Sequence, residues 1–329
     1  MLTTAVTPDL VSILAELPCG RHELRLTAPG GAIDALLFKA EEAQGLVVVF
    51  HGAVDREKRQ LPVLIELQPL QHRAHILAIA DPSLSQGDEL KLAWYQGHEG
   101  FDTPELVRKT VMFVRAGLRV GKTIYFGTSG GGFAALAASH ADPYSIVVAG
   151  NPQSTLRNYS PELLEEYMRQ CWPKAHMAGM DPSDVVTVDV GEKLYRQGHN
   201  NFVIYVQSSG DRVHFERQML PFLSAMKGTP NKRRFILHSS FWGTLGHVVA
   251  TEEYLRWIEA VLDSDQVNYE SILANWHRRS ENSPESKKSS KTAGAESAAK
   301  VHRPADIDLA TRLATWAGLR AKPDTEETL

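Results

Sequence analysis

Apolar and polar residues follow two different periodicities at the start of the chain. Apolar residues recur at helical spacing before Pro18, which predicts an N-terminal helix within residues 1–20. Two strand-like stretches, 23–27 and 33–38, then flank a Pro-Gly-Gly turn signal. This arrangement predicts an antiparallel β-hairpin at the beginning of the main domain.

Further along the chain, short continuous apolar runs take the place of these periodic patterns. A run without alternation suits a strand that is buried on both faces of a parallel sheet. Helical patterns separate the runs, so strand and helix alternate. This order predicts an α/β fold with a mostly parallel central sheet flanked by helices, whose ligands bind at the carboxyl ends of the strands. The predicted strands are 45–50, 75–80, 123–126, 145–149, 202–206 and 234–237.

Three segments depart from this alternation. Residues 151–198 are polar and interrupted by proline, and we interpret them as a small helical cap inserted into a domain of residues 21–277. Residues 278–303 are rich in Ser, Lys, Glu and Ala, a composition that cannot bury a core and predicts a disordered linker. Apolar residues at helical spacing in 304–329 predict an amphipathic C-terminal helix and tail, docked on the domain or on a protein partner.

The composition is that of a folded protein and narrows the classes of function. The 329 residues are 43% hydrophobic, enough for a real core. A net charge of −4 offers no field that would attract nucleic acid or an anionic membrane. Because the only cysteines are Cys19 and Cys171, a disulfide framework and a cysteine-rich zinc site are excluded. His and acidic residues at short ligand spacing are also absent from the sequence, so we expect no metal.

The sequence carries no pattern of a membrane anchor or a secretion signal. The N-terminus has no basic start. No apolar run approaches the roughly 18 residues that would span a bilayer. We therefore expect a cytoplasmic protein without membrane insertion.

The clearest chemical signal is the sequence Gly127-Thr128-Ser129-Gly130-Gly131. It follows the predicted strand 123–126 and precedes a helix of small residues. Gly-x-Ser-x-Gly in that position is the pattern of a nucleophile elbow, a sharp turn that strains the serine and exposes its hydroxyl. A glycine-rich nucleotide loop is disfavoured, because neither Gly-Lys-Ser/Thr nor Gly-x-Gly-x-x-Gly spacing is present. Ser129 is therefore the candidate nucleophile.

A serine hydroxyl is a weak nucleophile and needs a base, which this order of elements places after the last strand. His247 lies in the glycine-flanked loop 243–248, between the predicted strand 234–237 and the helix that follows. Of the thirteen histidines it satisfies both chain order and loop position, and His238 is the nearest rival. We assign His247 as the candidate base.

The base in turn needs a carboxylate that fixes its tautomer, expected after the preceding strand. Asp211 lies just beyond the predicted strand 202–206. It is the candidate acid, with an ordinary helix cap as its alternative role. Its rivals fall in the predicted insertion or on the next helix: Asp181, Asp184, Asp189 and Glu216.

An oxyanion needs two fixed N–H donors, one after the nucleophile and one from an earlier loop. Gly130 supplies the first. Gly52 follows the strand 45–50 and allows a turn that would aim the Ala53 N–H at the cleft. We interpret His51 as a residue that braces this loop. The cations that follow would bind an anionic substrate group or remain solvated: Arg56, Lys58 and Arg59.

These residues, taken in order, resemble the α/β-hydrolase superfamily. The resemblance rests on His51-Gly52 after a strand, the Ser129 elbow, Asp211 and His247, and it covers roughly residues 21–262. It implies the α/β-hydrolase fold but no particular member. That fold carries esterases, lipases, peptidases, acyltransferases and non-catalytic relatives.

Two further features bear on this resemblance. Residues 127–136 and Asn151-Pro152-Gln153 show a faint similarity to bacterial hydrolase-like proteins linked to glycan modification, including the accessory secretion family. The loop after Gly52 lacks the glycine-rich sequence of many lipases, which implies an unusual oxyanion loop.

The residues together predict a serine esterase that cleaves a carboxylic ester of a small molecule or glycan. The reaction would pass through an acyl-Ser129 intermediate and require no cofactor. Two alternatives remain open. An acyltransferase would use the same residues to move the acyl group to a sugar or another hydroxyl. A non-catalytic scaffold would instead use the tail 278–329 to bind a protein partner.

Overall fold

The structure is a computed structural model that describes residues 1–229, 232–248 and 251–281. The predicted C-terminal helix and tail, 304–329, lie outside the described residues, as does most of the predicted linker 278–303. The last described helix continues to Glu281 and therefore includes the first residues of that predicted linker.

One mixed sheet organises the described chain. Its strands are β1 (Leu2–Ala5), β2 (Gly20–Ala28), β3 (Gly31–Lys39), β4 (Leu46–Phe50), β5 (His75–Ile79), β6 (Thr123–Thr128), β7 (Ile146–Gly150), β8 (Phe202–Ser208) and β9 (Phe235–Ser240). Their order across the sheet is β1-β2-β3-β5-β4-β6-β7-β8-β9. β2 and β3 form the predicted antiparallel hairpin, and β3 is also antiparallel to β5. All pairs from β5 to β9 are parallel, which confirms the mostly parallel α/β sheet.

Helices cover both faces of this sheet. The α-helices are α1 (Asp9–Glu16), α2 (Thr103–Leu118), α3 (Gly130–His140), α4 (Pro161–Cys171), α5 (Pro173–Met177), α6 (Val190–Lys193), α7 (Arg212–His214), α8 (Leu220–Ala225), α9 (Thr251–Leu262) and α10 (Tyr269–Glu281). A π-helical turn, Phe215–Met219, joins α7 to α8. Short 3-10 helices lie at Gln68–Leu70, Pro82–Gln86, Pro182–Asp184, Tyr195–Gln197 and Lys232–Arg234. None of the described helices combines the length and apolarity that a membrane crossing requires.

Two apolar cores, one on each face of the sheet, explain why apolar and polar residues do not alternate along the central strands. In β4, Val48 packs with α1, α2 and α3 on one face, whereas Val47 and Val49 pack with α9 and α10 on the other. Every residue of β4 is buried, because both faces of the strand are covered.

The N-terminus contains a strand that the sequence did not predict. β1 pairs parallel with β2 and places Leu2 opposite Leu24. It is short, lies at the sheet edge and alternates between partial and full exposure. Such a strand depends on its partner rather than on its own apolar content, so the residues alone gave no signal.

The segment between β7 and β8 forms α4, α5, α6 and irregular backbone, where the sequence predicted a helical insertion. It packs on the loop after β5, because the Tyr167 hydroxyl donates to the Gly97 carbonyl at 2.8 Å. The Trp172 indole N–H donates in turn to the Tyr167 hydroxyl at 2.8 Å. That this segment caps a site remains a prediction.

Candidate active site

The predicted nucleophile occupies a strained turn between β6 and α3. Ser129 has φ 55° and ψ −122°, a conformation that L-residues rarely adopt and that costs about 1–3 kcal/mol. Its N–H donates to the Gly150 carbonyl at 3.0 Å, and its own carbonyl accepts from the N–H groups of Phe133 and Gln153. Neighbouring elements therefore hold the residue in this conformation.

Close backbone contacts explain why glycines surround the serine. A Cβ at Gly127 would collide with the Gly131 carbonyl, and a Cβ at Gly131 would collide with the Phe50 carbonyl at the end of β4. The turn can therefore form only when both positions lack side chains. This is the local reason that the sequence produces an elbow here.

The predicted acid and base meet beyond the carboxyl ends of β8 and β9. His247 donates through Nδ1 to Oδ2 of Asp211 at 2.6 Å. Asp211 is buried, whereas 40% of the His247 side chain is exposed. Oδ1 of Asp211 accepts the His214 backbone N–H at 3.2 Å, so the carboxylate also caps α7. One side chain thus contacts the candidate base and caps a helix, and its role as the catalytic acid stays a prediction.

Two opposing effects set the ionisation of Asp211. Burial acts to raise the pKa of Asp211, but interactions with His214 and His247 outweigh burial and hold that pKa below its ordinary value. The carboxylate is therefore charged at neutral pH. A charged acceptor fixes the Nδ1–H tautomer of His247 and leaves Nε2 free to accept a proton.

The Ser129 hydroxyl has a different partner. Its Oγ accepts a hydrogen bond from Nε2 of Gln153 at 3.1 Å, and within the described part of the chain no hydrogen bond joins it to His247. β7 separates β6 from β8, so Ser129 and Asp211 follow strands that are not direct neighbours in the sheet. The pairing of Ser129 with His247 stays a prediction, in a class of site whose hydrogen bonds often tighten only with substrate.

The loop after β4 lies directly against the nucleophile. A Cβ built on Gly52 would lie 3.6 Å from the Ser129 Cβ and 3.9 Å from the Gly130 nitrogen. The N–H of Val54 donates to the Lys91 carbonyl at 2.8 Å and fixes the far side of this loop. The structure thus brings the two predicted oxyanion elements together. The direction of the Ala53 N–H stays a prediction.

His51 braces this loop with both ring nitrogens. Nε2 accepts the Asp81 backbone N–H at 3.1 Å, so Nδ1 carries the proton and donates to the Gly52 carbonyl at 2.8 Å. Burial lowers the pKa of His51, which keeps the ring neutral. The backbone N–H of His51 donates to the Tyr95 hydroxyl at 3.0 Å. With both nitrogens occupied, the ring has no free position for proton transfer.

Two of the three cations after Ala53 contact other residues of the protein, and Arg59 is exposed. Arg56 donates to the carbonyls of Leu84 and Leu90, both at 3.1 Å. Lys58 pairs with Asp55 at 2.7 Å on the surface. Arg56 is therefore part of the loop's own structure, whereas Lys58 and Arg59 lie at the surface as the solvated alternative expects.

The rival base and three of the four rival acids have partners of their own, and the fourth, Asp184, is exposed. Nδ1 of His238 accepts the Trp257 indole N–H at 2.9 Å on the α9 face of the sheet. Asp189 caps α6, and Asp181 pairs with Arg157. Glu216 pairs with Arg212 at 3.2 Å.

Comparisons with family models and with curated sequences give no match. Among solved structures, the chain is similar to the capsule O-acetyltransferase of Neisseria meningitidis serogroup A, with 14% identity, a TM-score of 0.53, and coverage of 73% of this chain and 94% of that one. It is also similar to the acylaminoacyl peptidase of Pyrococcus horikoshii, with 14% identity and a TM-score of 0.52 over 80% of this chain and 45% of that one. The chain therefore spans less than half the length of that peptidase. The protein has the α/β-hydrolase fold.

The α/β-hydrolase fold accounts for the chain order of the candidate residues. Ser129, Asp211 and His247 follow β6, β8 and β9, in the order of nucleophile, acid and base that this fold uses. Because these strands are parallel, the three residues share one sheet edge.

Sequence reasoning missed two residues at this edge of the α/β-hydrolase fold. Gln153 is fully buried, with its amide N–H on Ser129 and its carbonyl accepting from the Trp94 indole. The ring of His214 lies 4.1 Å from that of His247, and its Nδ1 lies 2.9 Å from Oδ2 of Asp211. The sequence signals for Gln153 were its position just after a strand and its place in the Asn151-Pro152-Gln153 similarity. For His214 the signal was the Asp-x-x-His spacing with Asp211, so the expectation that no such ligand spacing is present was wrong. Asp211, His214 and His247 also bring one possible metal ligand each within 4.8 Å of one another.

We expect the Gln153→Leu substitution to lower the free energy of unfolding by about 1–3 kcal/mol. It leaves the buried Trp94 indole N–H without its acceptor, and an orphaned buried donor costs about this much. Urea unfolding of the single variant would measure the loss.

A double-mutant cycle separates the hydrogen bond from packing. In a Trp94→Phe background the indole N–H is already gone, so Gln153→Leu should cost about 1 kcal/mol less than in the wild type. An equal cost in both backgrounds would show that the Gln153–Trp94 hydrogen bond contributes nothing.

Proposed function

We propose that the protein is a serine hydrolase that cleaves a carboxylic ester through an acyl-Ser129 intermediate. The observation that carries the proposal is the 2.6 Å hydrogen bond between His247 and Asp211. It lies at the sheet edge where Ser129 occupies its strained turn. A buried, ionised carboxylate hydrogen-bonded to a partly exposed imidazole, at the same sheet edge as such a serine, suits acyl transfer chemistry.

The proposed reaction has two half-reactions. Nε2 of His247 takes the Ser129 proton while Oγ attacks the ester carbonyl, and the N–H groups of Gly130 and Ala53 hold the oxyanion. Collapse breaks the ester bond, and His247 returns the proton to the departing alcohol. A water molecule then attacks the acyl group with help from the same imidazole. Free acid leaves, and Ser129 recovers its proton. No cofactor enters either step.

The segment 151–198 is proposed to form one wall of the substrate site. It supplies Gln153, whose amide contacts the Ser129 hydroxyl. It also supplies Tyr159, whose ring lies 5.6 Å from that of His214 beside Asp211. These contacts support a cap that reaches the reacting atoms, where it would select the acyl group.

An acyltransferase is the second candidate, favoured by one comparison. The chain covers 94% of the capsule O-acetyltransferase, so the likeness extends over almost all of that enzyme. The first half-reaction would be the same, and a hydroxyl of a glycan or small molecule would replace water in the second.

The scaffold alternative depends on the tail, of which residues 282–329 lie outside the described chain.

Covalent labelling with a fluorophosphonate tests the nucleophile without knowledge of the substrate. Intact mass and peptide mapping should show one label on Ser129 and none on Ser129→Ala. His238→Ala is the matched control and should label like the wild type. Well-folded protein that stays unlabelled, or that labels equally at another serine, would contradict the proposal.

Product analysis separates hydrolysis from transfer. Each ester that reacts should be incubated with and without sugar acceptors, and the products identified by mass spectrometry. An acylated sugar would support the transferase. Free acid as the sole product with every acceptor would support the esterase and contradict the transferase.

A further inference from the structure

One buried histidine beside the candidate triad has no role in the proposed reaction. His214 is 5% exposed, and neither ring nitrogen makes a hydrogen bond of acceptable geometry in the described chain. Its Nδ1 nevertheless lies 2.9 Å from Oδ2 of Asp211, the same oxygen that accepts from His247. A buried imidazole without a hydrogen bond is costly, so its position calls for a ligand.

We propose that Asp211, His214 and His247 form a Zn²⁺ site that holds the candidate triad inactive, an inference that rests on the proposed function for its effect on Ser129. Two imidazoles and one carboxylate are a donor set that Zn²⁺ favours. Each residue offers one ligand atom, and these atoms lie within 4.8 Å of one another. No other group with this property occurs among the described residues.

The distances from the two histidines to Asp211 require little movement. Zn²⁺ binds nitrogen and carboxylate oxygen at about 2.0–2.2 Å in a tetrahedron, which separates neighbouring ligands by about 3.3 Å. The two nitrogens now lie 2.6 Å and 2.9 Å from Oδ2, so each contact needs to open by less than about 1 Å. His247 lies in a loop without regular secondary structure, where such a shift disturbs no helix or strand.

The site also has a route of entry and an open position. His247 is exposed, so the ion can approach from solvent. His214 and Asp211 are buried and fixed at the start of α7, where they form a prearranged pair. Three protein ligands leave a fourth position for water.

Metal binding would invert the tautomer that catalysis needs. In the metal-free state His247 carries its proton on Nδ1 and donates it in a hydrogen bond to Asp211, so Nε2 is free to take the Ser129 proton. A neutral ring that binds Zn²⁺ through Nδ1 keeps its one proton on Nε2. Such a ring cannot accept a proton from Ser129. The ion therefore blocks the base without touching the nucleophile.

Zinc titration of the Ser129→Ala variant tests the site independently of any activity. Isothermal titration calorimetry should show one Zn²⁺ per chain. His214→Phe keeps a ring of similar size but no nitrogen, and His214→Gln is a second variant; each should weaken binding at least about tenfold. His72→Ala removes an exposed histidine elsewhere and should bind like the parent. Absence of binding, or unchanged binding in a folded His214 variant, would overturn the site.

Fluorophosphonate labelling of the wild type then tests the inhibition. Saturating Zn²⁺ should slow labelling of Ser129 at least about tenfold, and EDTA should restore the rate. In the His214 variants, each compared with its own metal-free rate, the same zinc concentration should have a smaller effect. If zinc binds but labelling continues unchanged, the inhibitory role is wrong. If wild type never labels, the proposed function fails while the calorimetry still decides the metal site.

Discussion

The Ser129→Ala variant should hydrolyse its ester substrate with a kcat at least about 10⁴-fold below that of the wild type. The hydroxyl forms the covalent bond to the acyl group, and no neighbouring group can replace it. Substrate binding and the oxyanion donors would remain, so a small residual rate over water should survive. Initial rates with chromogenic short-chain esters give the comparison.

The substitution should leave the fold intact. Alanine keeps the Cβ, so the positive φ of the turn is retained and no new strain is added. The main loss is the hydrogen bond that Gln153 donates to Oγ, worth about 1 kcal/mol. Ser85→Ala, at an exposed serine on a 3-10 helix, is the matched control and should hydrolyse like the wild type. Near-normal hydrolysis by Ser129→Ala would assign the nucleophile to another residue.

The Asp211→Asn variant is the second large expected effect, with kcat lowered about 10⁴-fold. An amide cannot hold the Nδ1–H of His247 as a carboxylate does, and it gives no charge to stabilise the imidazolium. Asparagine still caps a helix well, so α7 should form in the variant. The variant should therefore still fold, although with lower stability, and the loss of activity should lie in kcat.

A second aspartate provides the control for this assignment. Asp184 is exposed on a 3-10 helix of the inserted segment. Asp184→Asn should retain wild-type rates. A comparable loss at Asp184 with none at Asp211 would move the acid to the insertion and overturn the assignment.

Stability should respond to pH in the direction that the Asp211 environment sets. The pKa of Asp211 lies below its ordinary value, so the folded state binds the proton less readily than the unfolded chain. The resulting stabilisation is complete above the ordinary pKa of about 3.9 and is lost as pH falls through the folded pKa. Asp211→Asn should therefore be less stable than the wild type at pH 7. Urea unfolding should show that the difference in free energy of unfolding between the wild type and the variant becomes smaller below about pH 4.

The α/β fold could be predicted because its signals are local. Each buried strand is a short apolar run, and β4 shows why: its residues face two different cores in turn. The hairpin of β2 and β3 has its turn residues in place, and the elbow glycines lie within five positions of each other. β1 escaped prediction because its formation depends on pairing with β2.

The candidate site could be predicted only in part. Ser129, Asp211 and His247 were predicted from chain order, because each follows the end of a strand in a fold that uses that order. Gln153 and Trp94 lie 59 positions apart, and no local pattern indicates that their side chains meet. The Asp-x-x-His spacing of Asp211 and His214 is present in the sequence but was overlooked, because nothing local shows that the His214 ring meets His247. Only the turn of α7 brings the His214 ring against His247, which is itself 36 positions away from Asp211.

The sequence by itself determined which segments become buried strands, where the elbow forms, and which residue types stand at the strand ends. These features depend on steric limits and apolar patterns within a few consecutive residues. The tertiary structure alone decided that Gln153 reaches the Ser129 hydroxyl, that His51 is occupied at both nitrogens, and that two histidines share the Asp211 carboxylate. Such contacts join loops from different strands, so they depend on strand order and register, which no single segment encodes.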